Sequence, residues 1–227
     1  MQPYFLPYIG YFQLMAAVDR FVLYDDIKYT KKGWISGNRM LQNGRDVKFS
    51  LALKAGSDYL NVRDRELAPS FDRDKLLNQF NGAYRPAPHF DQTFPLLERI
   101  VRFEEPSLFG FLRQSIIEIC RHLSIATEIV ISSGVAIDRE LKGQDKVLAL
   151  CQAAGADTYL NAIGGVDLYS QEAFRAKGID LWFIRSKAFE YPQFGAVFVP
   201  WLSIIDVLMF NPLDIVKSCI TTNYELI

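Results

Sequence analysis

From Glu128 onward the chain alternates short runs of strand character with helix-periodic segments, and two glycines punctuate the changeovers. Glu128-Ile129-Val130-Ile131-Ser132 reads as a strand, Gln144 to Ala154 as a helix and Thr158-Tyr159-Leu160 as a short strand. Tyr169 to Lys177 then reads as a helix and Ile179 to Ile184 as a strand, with Gly155 and Gly178 where each helix should stop. Such alternation calls for a parallel sheet covered by helices. The expected fold is therefore α/β, a Rossmann-like parallel sheet flanked by helices. Ligands of such sheets bind beyond the carboxyl ends of strands, which points to the segments after Tyr24, Ile131 and Ile184.

The N-terminal half adds other elements. Tyr11 to Val18 suits a short helix and Arg20 to Tyr24 a strand. Asn43-Gly44, between Asn-Arg-Met-Leu-Gln and Arg-Asp-Val-Lys-Phe, signals a β-hairpin, because both residues tolerate the positive φ of a type I′ turn. Asp72 or Ser70 can cap a helix running to about Phe80. Ser107 can cap a longer one, on which Leu108, Phe111, Leu112, Ile116, Ile119 and Leu123 recur at helical spacing. The middle third is thus expected to be helical. With no repeat, low-complexity tract or linker, residues 1–227 are expected to form a single α/β domain carrying a hairpin insertion.

Charge and cysteine usage narrow the class. The 25 Lys+Arg against 26 Asp+Glu leave a net charge of −1, without the basic excess of a dedicated nucleic-acid binder. Half the residues are hydrophobic, which is enough for a substantial core. Cys120, Cys151 and Cys219 lie far apart, which fits neither a disulfide framework nor a zinc site, so a reducing, cytoplasmic setting is expected. No apolar run reaches the roughly 18 residues of a membrane span. The opening residues lack the basic start and apolar stretch of a secretory signal.

The densest chemistry lies in Tyr24-Asp25-Asp26-Ile27-Lys28-Tyr29-Thr30-Lys31-Lys32-Gly33-Trp34, where a strand end delivers carboxylates, lysines and aromatic rings into one loop. Such a loop suits a cation, phosphate oxygens or a sugar face. Lys28, Lys31, Lys32, Arg39, Arg45 and Lys48 against Asp46 give the hairpin a local charge of +5. That asymmetry fits an anionic small molecule, and equally a solvated hairpin whose lysines protect its edges from aggregation. The Pro-rich, aromatic opening, with Gln2, Tyr8, Gly10 and Tyr11, offers either a stacking floor or a packed cap. Ser132-Ser133-Gly134 fits a phosphate-binding turn or a plain hydroxyl-stabilised one, and Tyr191 and Gln193 follow a strand end. His89 and His122 are isolated, and no Walker, GxGxxG, GxSxG, HExxH or CxxC motif occurs. Neither a metal nor a cofactor is specified by the sequence.

Met1-Gln2-Pro3-Tyr4-Phe5-Leu6-Pro7-Tyr8-Ile9-Gly10-Tyr11-Phe12, with Val18-Asp19, Tyr24-Asp25-Asp26, Gly33-Trp34 and Asn38-Arg39, resembles the WbqC-like protein family. The likeness continues through Tyr84-Arg85-Pro86-Ala87-Pro88, Ser132-Ser133, Gly155 to Leu160, Tyr191-Pro192-Gln193 and Phe198 to Asp206. The resemblance implies a role in bacterial surface-polysaccharide and O-antigen biosynthesis, with amino-acid or acyl transfer to an amino sugar among the suggested reactions. It also implies a first β-strand ahead of the Met-Gln-Pro stretch. The family places Asn-Arg-Asn after the tryptophan where this chain has Ser36-Gly37-Asn38, so Arg39 is the nearest arginine. A fainter likeness is to cytidylyltransferase-like nucleotidyltransferases, with Tyr8 and Tyr11 near the positions of their HxGH histidines. Neutral tyrosines there imply that nucleotide binding survives without nucleotidyl transfer.

The expected function is a transferase acting on a nucleotide-sugar or other activated sugar. Asp25 and Asp26 serve as base or cation ligand, and Lys31 and Arg39 hold phosphates. Gln2, Tyr8, Gly10, Tyr11, Trp34, Asn38, Ser132, Ser133, Tyr191 and Gln193 frame the substrate. The alternatives are a non-catalytic accessory protein that binds a glycan intermediate or a carrier protein, and a diverged nucleotide-binding protein. The acyl or aminoacyl donor stays unnamed, and the aromatic C-terminal segment suits a homodimer face.

Overall fold

The computed structural model describes residues 1–57, 59–195 and 197–227. Helix α1 (Ile9–Ala16) begins directly after Pro7 and Tyr8, two residues earlier than the apolar periodicity suggests, and leads into strand β1 (Arg20–Leu23). Strands β2 (Gly37–Gln42) and β3 (Arg45–Ser50) form the antiparallel hairpin, with Asn43 and Gly44 both at positive φ in its two-residue turn. Asp72 caps α2 (Arg73–Tyr84) by accepting from the Lys75 amide at 2.8 Å. Helix α3 (Phe90–Val101) follows, and Ser107 caps α4 (Leu108–Leu123) by accepting from the Gly110 amide at 3.2 Å. The middle of the chain is helical, as its periodicity requires.

The alternating half folds as β4 (Glu128–Ile131), α5 (Gly143–Ala153), β5 (Thr158–Ala162), α6 (Gln171–Arg175) and β6 (Asp180–Ser186). Gly155 and Gly178 sit at φ of 64° and 72° just past the two helices, the left-handed conformation that ends a helix most easily with glycine. Helices α7 (Ile204–Phe210) and α8 (Leu213–Thr222) and strand β7 (Tyr224–Leu226) complete the chain. Helix α7 is buried along its whole length, whereas α8 buries Val216, Cys219 and Ile220 and turns its polar residues outward.

The parallel strands form two small ladders: β1 pairs with β4, and β5 pairs with β6, which carries β7 antiparallel on its other edge. The architecture is mixed α/β. Between the free edges of β1 and β5 lies a cavity of about 610 Å³, walled by Phe21, Val22, Tyr159 and Leu160 and by Leu150 and Cys151 of α5. Met1 enters it. The Met1 amine donates to the Val22 carbonyl at 2.6 Å, and the Tyr24 amide donates to the Met1 carbonyl at 2.9 Å, one rung of a parallel ladder opposite Leu23.

Two apolar clusters hold the elements together. The larger joins α1 to α4, α7, α8 and the hairpin, and the smaller gathers Val147, Leu148, Cys151, Phe174, Ile179, Leu181 and Phe183 beneath α5 and α6. Strand β6 serves both, because successive side chains leave opposite faces: Phe183 joins the smaller cluster and Ile184 the larger. All three cysteines are buried and free. Among the described residues no helix is long and apolar enough to cross a membrane.

Burial, reinforced by the nearby Lys146 charge, lowers the pKa of the Met1 amine from 8.0 to about 5. Between those values the unfolded chain binds a proton that the native chain does not, so stability rises with pH across this window. Denaturant unfolding of a chain that starts at Met1 is expected to show greater stability at pH 8 than at pH 5, by up to about 4 kcal/mol. Acetylation of the amine should remove this component of the pH dependence.

Candidate functional site

Leu23 of β1 and Ile131 of β4 are register partners, so the segments that leave the two strands emerge side by side. Ser132 then turns into a short 3-10 helix, Ser132–Gly134, which aims its hydroxyl between two carboxylates. The Ser132 Oγ lies 2.9 Å from Asp25 Oδ1 and 2.6 Å from Asp26 Oδ1, and it accepts from the Asp25 amide at 3.3 Å. One hydroxyl proton therefore serves two carboxylates. The Ser133 amide adds a second donor to Asp25 Oδ1 at 3.0 Å.

Cations close the cluster. Lys146, in the first turns of α5, donates to Asp26 Oδ2 at 2.8 Å, while Arg139 stands 3.9 Å from the same oxygen. Arg63 stands 3.7 Å from Asp25 Oδ2, and Arg139 also donates to the Ser133 carbonyl at 2.6 Å. Arg63 also lies 3.8 Å from Asp64, so three carboxylates meet three cations. Burial would raise the Asp26 pKa, but hydrogen bonds from Lys146 and Ser132, and the Lys146 charge, outweigh it and hold the carboxyl below its usual range. Asp26 is thus ionised at neutral pH. The Lys146 ammonium also lies 5.2 Å from the centre of the Tyr24 ring, whose hydroxyl is kept protonated by burial and by Tyr169, Asp26 and Cys151. Among the described residues no group of three or more His, Cys, Asp or Glu side chains is placed to hold a metal ion.

Asp25, Asp26, Ser132 and Ser133 therefore come together, and the other sequence candidates go elsewhere. Asn38 is buried, donating from Nδ2 to the Leu6 carbonyl at 2.7 Å. Arg39 reaches across the hairpin to Asp46 at 3.0 Å, stacks over the Trp34 ring at 5.3 Å and donates to the Trp201 carbonyl at 3.2 Å. Tyr8 packs edge-on to Trp201. Lys31 is exposed in the loop before Trp34. Gly10 does admit close approach, but of the protein's own Ser186 hydroxyl and Tyr8 ring, which is how α1 seats on the end of β6. Tyr11 is buried and donates to the Gln2 carbonyl at 3.1 Å.

Tyr191 and Gln193 both donate to Asp206 Oδ2 at 2.7 Å, and the Tyr84 hydroxyl donates to Asp206 Oδ1 at 2.9 Å while accepting from the Leu41 amide at 2.9 Å. Burial raises the Asp206 pKa and these three donors oppose it. The network ties the hairpin, α2 and α7 into one unit. Sequence reasoning gave no role to Tyr84, Asp206, Lys146, Arg139 or Arg63. Lys146 carried a legible signal, since the start of the helix that follows a parallel strand faces the ligand crevice. Arg63 lies in an irregular segment and carried none.

The WbqC-like protein family profile matches residues 2–218. The chain belongs to that family. It is also 30% identical over 229 residues to an uncharacterized protein of Mycobacterium tuberculosis (strain ATCC 25618 / H37Rv), an alignment covering 93% of this chain and 91% of that protein. No solved structure matches. For this member of the WbqC-like family, the network around Asp206 yields a stability test. Asp206→Ala leaves the Tyr84 and Tyr191 hydroxyls without their acceptor, while Gln193 keeps the Val199 carbonyl, and should cost about 2–4 kcal/mol in denaturant unfolding. Asp206→Asn keeps one acceptor oxygen and should cost clearly less.

Proposed function

We propose that the protein is a transferase that adds an amino-acid or acyl group to the amino sugar of a nucleotide-sugar, in the cytoplasmic stage of bacterial surface-polysaccharide biosynthesis. The observation that carries this reading is the cluster of Asp25, Asp26, Ser132 and Lys146 beyond the carboxyl ends of two paired parallel strands, the place where ligands of parallel α/β sheets bind. In this reading residues 1–227 act as one α/β unit with Rossmann-like placement of the ligand.

The roles follow from charge and exposure. Asp26, ionised and less buried than Asp25, orients the attacking amine, takes up its proton as the new C–N bond replaces the donor's thioester or ester bond, and passes it to the departing thiol or alcohol. Asp25, fixed by the Ser133 amide and the Ser132 hydroxyl, holds Ser132 in place. Lys146, Arg139 and Arg63 supply the positive charge that meets the diphosphate, a duty that the sequence alone assigned to Lys31 and Arg39. The +5 charge of the hairpin favours one further reading, an accessory protein that docks an acidic carrier protein without turnover.

The purified chain, incubated with a panel of nucleotide-amino-sugars and with coenzyme A thioesters or aminoacyl donors, is expected to give an N-acylated product. Asp26→Asn should lower kcat/KM by at least about 100-fold, the scale of general-base loss. Full turnover by both Asp25→Asn and Asp26→Asn would overturn the assignment. A tight carrier-protein complex without product would support the accessory reading.

A further inference from the structure

Trp201 adopts φ of 59°, a conformation that is a true outlier for a bulky residue. Such strain persists only where the surroundings over-determine it. Leu6, at φ of 49°, gives the ordinary case: its side chain is fully buried, so packing offsets the strain. Trp201 is the opposite case. Its fractional exposure is 58%, so the strained backbone displays the indole to solvent rather than burying it.

The surroundings explain how it is held and what it faces. The Ser203 amide donates to the Arg39 carbonyl at 2.9 Å and the Ile204 amide to the Pro7 carbonyl at 2.8 Å, which pins the chain immediately after Trp201. Arg39 Nη2 donates to the Trp201 carbonyl, and the same guanidinium lies over the ring of Trp34, itself 43% exposed. Arg39 Nη1 pairs with Asp46 at 3.0 Å and its Nε is buried, so this guanidinium orders the Trp34 and Trp201 segments rather than meeting solvent. The Tyr8 ring flanks Trp201 with centroids 6.3 Å apart. Two exposed indoles and a phenol thus border one guanidinium, beside the loop and hairpin of residues 28–48, whose net charge is +5.

We propose that Trp201 and Trp34 form a binding surface for an acidic glycan, the indoles stacking on sugar faces while the exposed Lys31, Lys32, Arg45 and Lys48 attract its carboxylates. Rigid aromatic faces supply contact area at low entropic cost. The basic hairpin adds complementary charge for further acidic units. This surface is built on different elements from the carboxylate cluster, and its binding does not require turnover there.

Calorimetric titration with tetragalacturonate, with neutral cellotetraose as comparator, tests the proposal. The acidic oligomer is expected to bind, more weakly as salt rises, and cellotetraose to bind at least tenfold more weakly. Trp201→Gly is the decisive variant, because glycine accepts positive φ without strain. It should weaken tetragalacturonate binding at least tenfold while leaving Tm unchanged or higher, and Trp34→Ala should weaken binding similarly. Asp26→Asn should leave binding intact, which separates this surface from the catalytic reading. The proposal is overturned by absence of binding, by a clear fall in Tm for Trp201→Gly, or by equally tight binding of a single-stranded oligothymidylate.

Discussion

The backbone carbonyl of Leu6 is the point on which three distant segments converge. It accepts from Asn38 Nδ2 and from Ser203 Oγ, each at 2.7 Å, in a site closed to solvent. A buried carbonyl left without donors is costly, and here two side chains from β2 and from the cap of α7 satisfy both of its lone pairs. Leu6 reaches this position only by adopting positive φ. The Phe5 amide, donating to the Ile35 carbonyl at 2.9 Å, locks the same segment to the start of the hairpin. The N-terminal turn, the hairpin and α7 are therefore one assembly, although more than 190 residues separate Leu6 from Ser203.

A second constraint has a different origin. The carboxylate cluster depends on the parallel register of β1 with β4, which brings Asp25 and Asp26 beside Ser132 across 107 and 106 residues of sequence. Carboxylates at this depth need donors and countercharges, and the arrangement provides a hydroxyl, an amide, a lysine and two arginines. The Asp206 network solves the same problem with neutral donors alone, two phenols and an amide, and so serves as a clamp. The two buried-acid sites differ in their donors, and only the first brings cationic side chains together at a strand end.

Local signals in the sequence were legible where a short-range rule decides the outcome. Asn43-Gly44 set the hairpin turn, Asp72 and Ser107 set helix starts, and Gly155 and Gly178 set helix ends, because each acts within a few residues. The pairing of Asp25 and Asp26 with Ser132 was foreshadowed by the rule that ligands gather beyond strand ends. Gly10 illustrates the limit: the need for a small residue was readable, but of the two neighbours that require it, Tyr8 and Ser186, no local pattern connects it to the second. Tyr191 and Gln193 looked like substrate contacts because polar tips after a strand often are, and only the fold reveals Asp206 as their acceptor.

The sequence by itself determined the strand–helix alternation from Glu128 to Ile184, the turn chemistry and the family, since these rest on periodicity, backbone preference and residue identity along the chain. The tertiary structure decided how the strands pair, that β1–β4 and β5–β6 stand as separate ladders, and which charges meet at Asp26. It also decided that Trp201 faces outward on a strained backbone. Those outcomes depend on contacts between residues far apart in the chain, whose energies arise only when burial and desolvation bring them together.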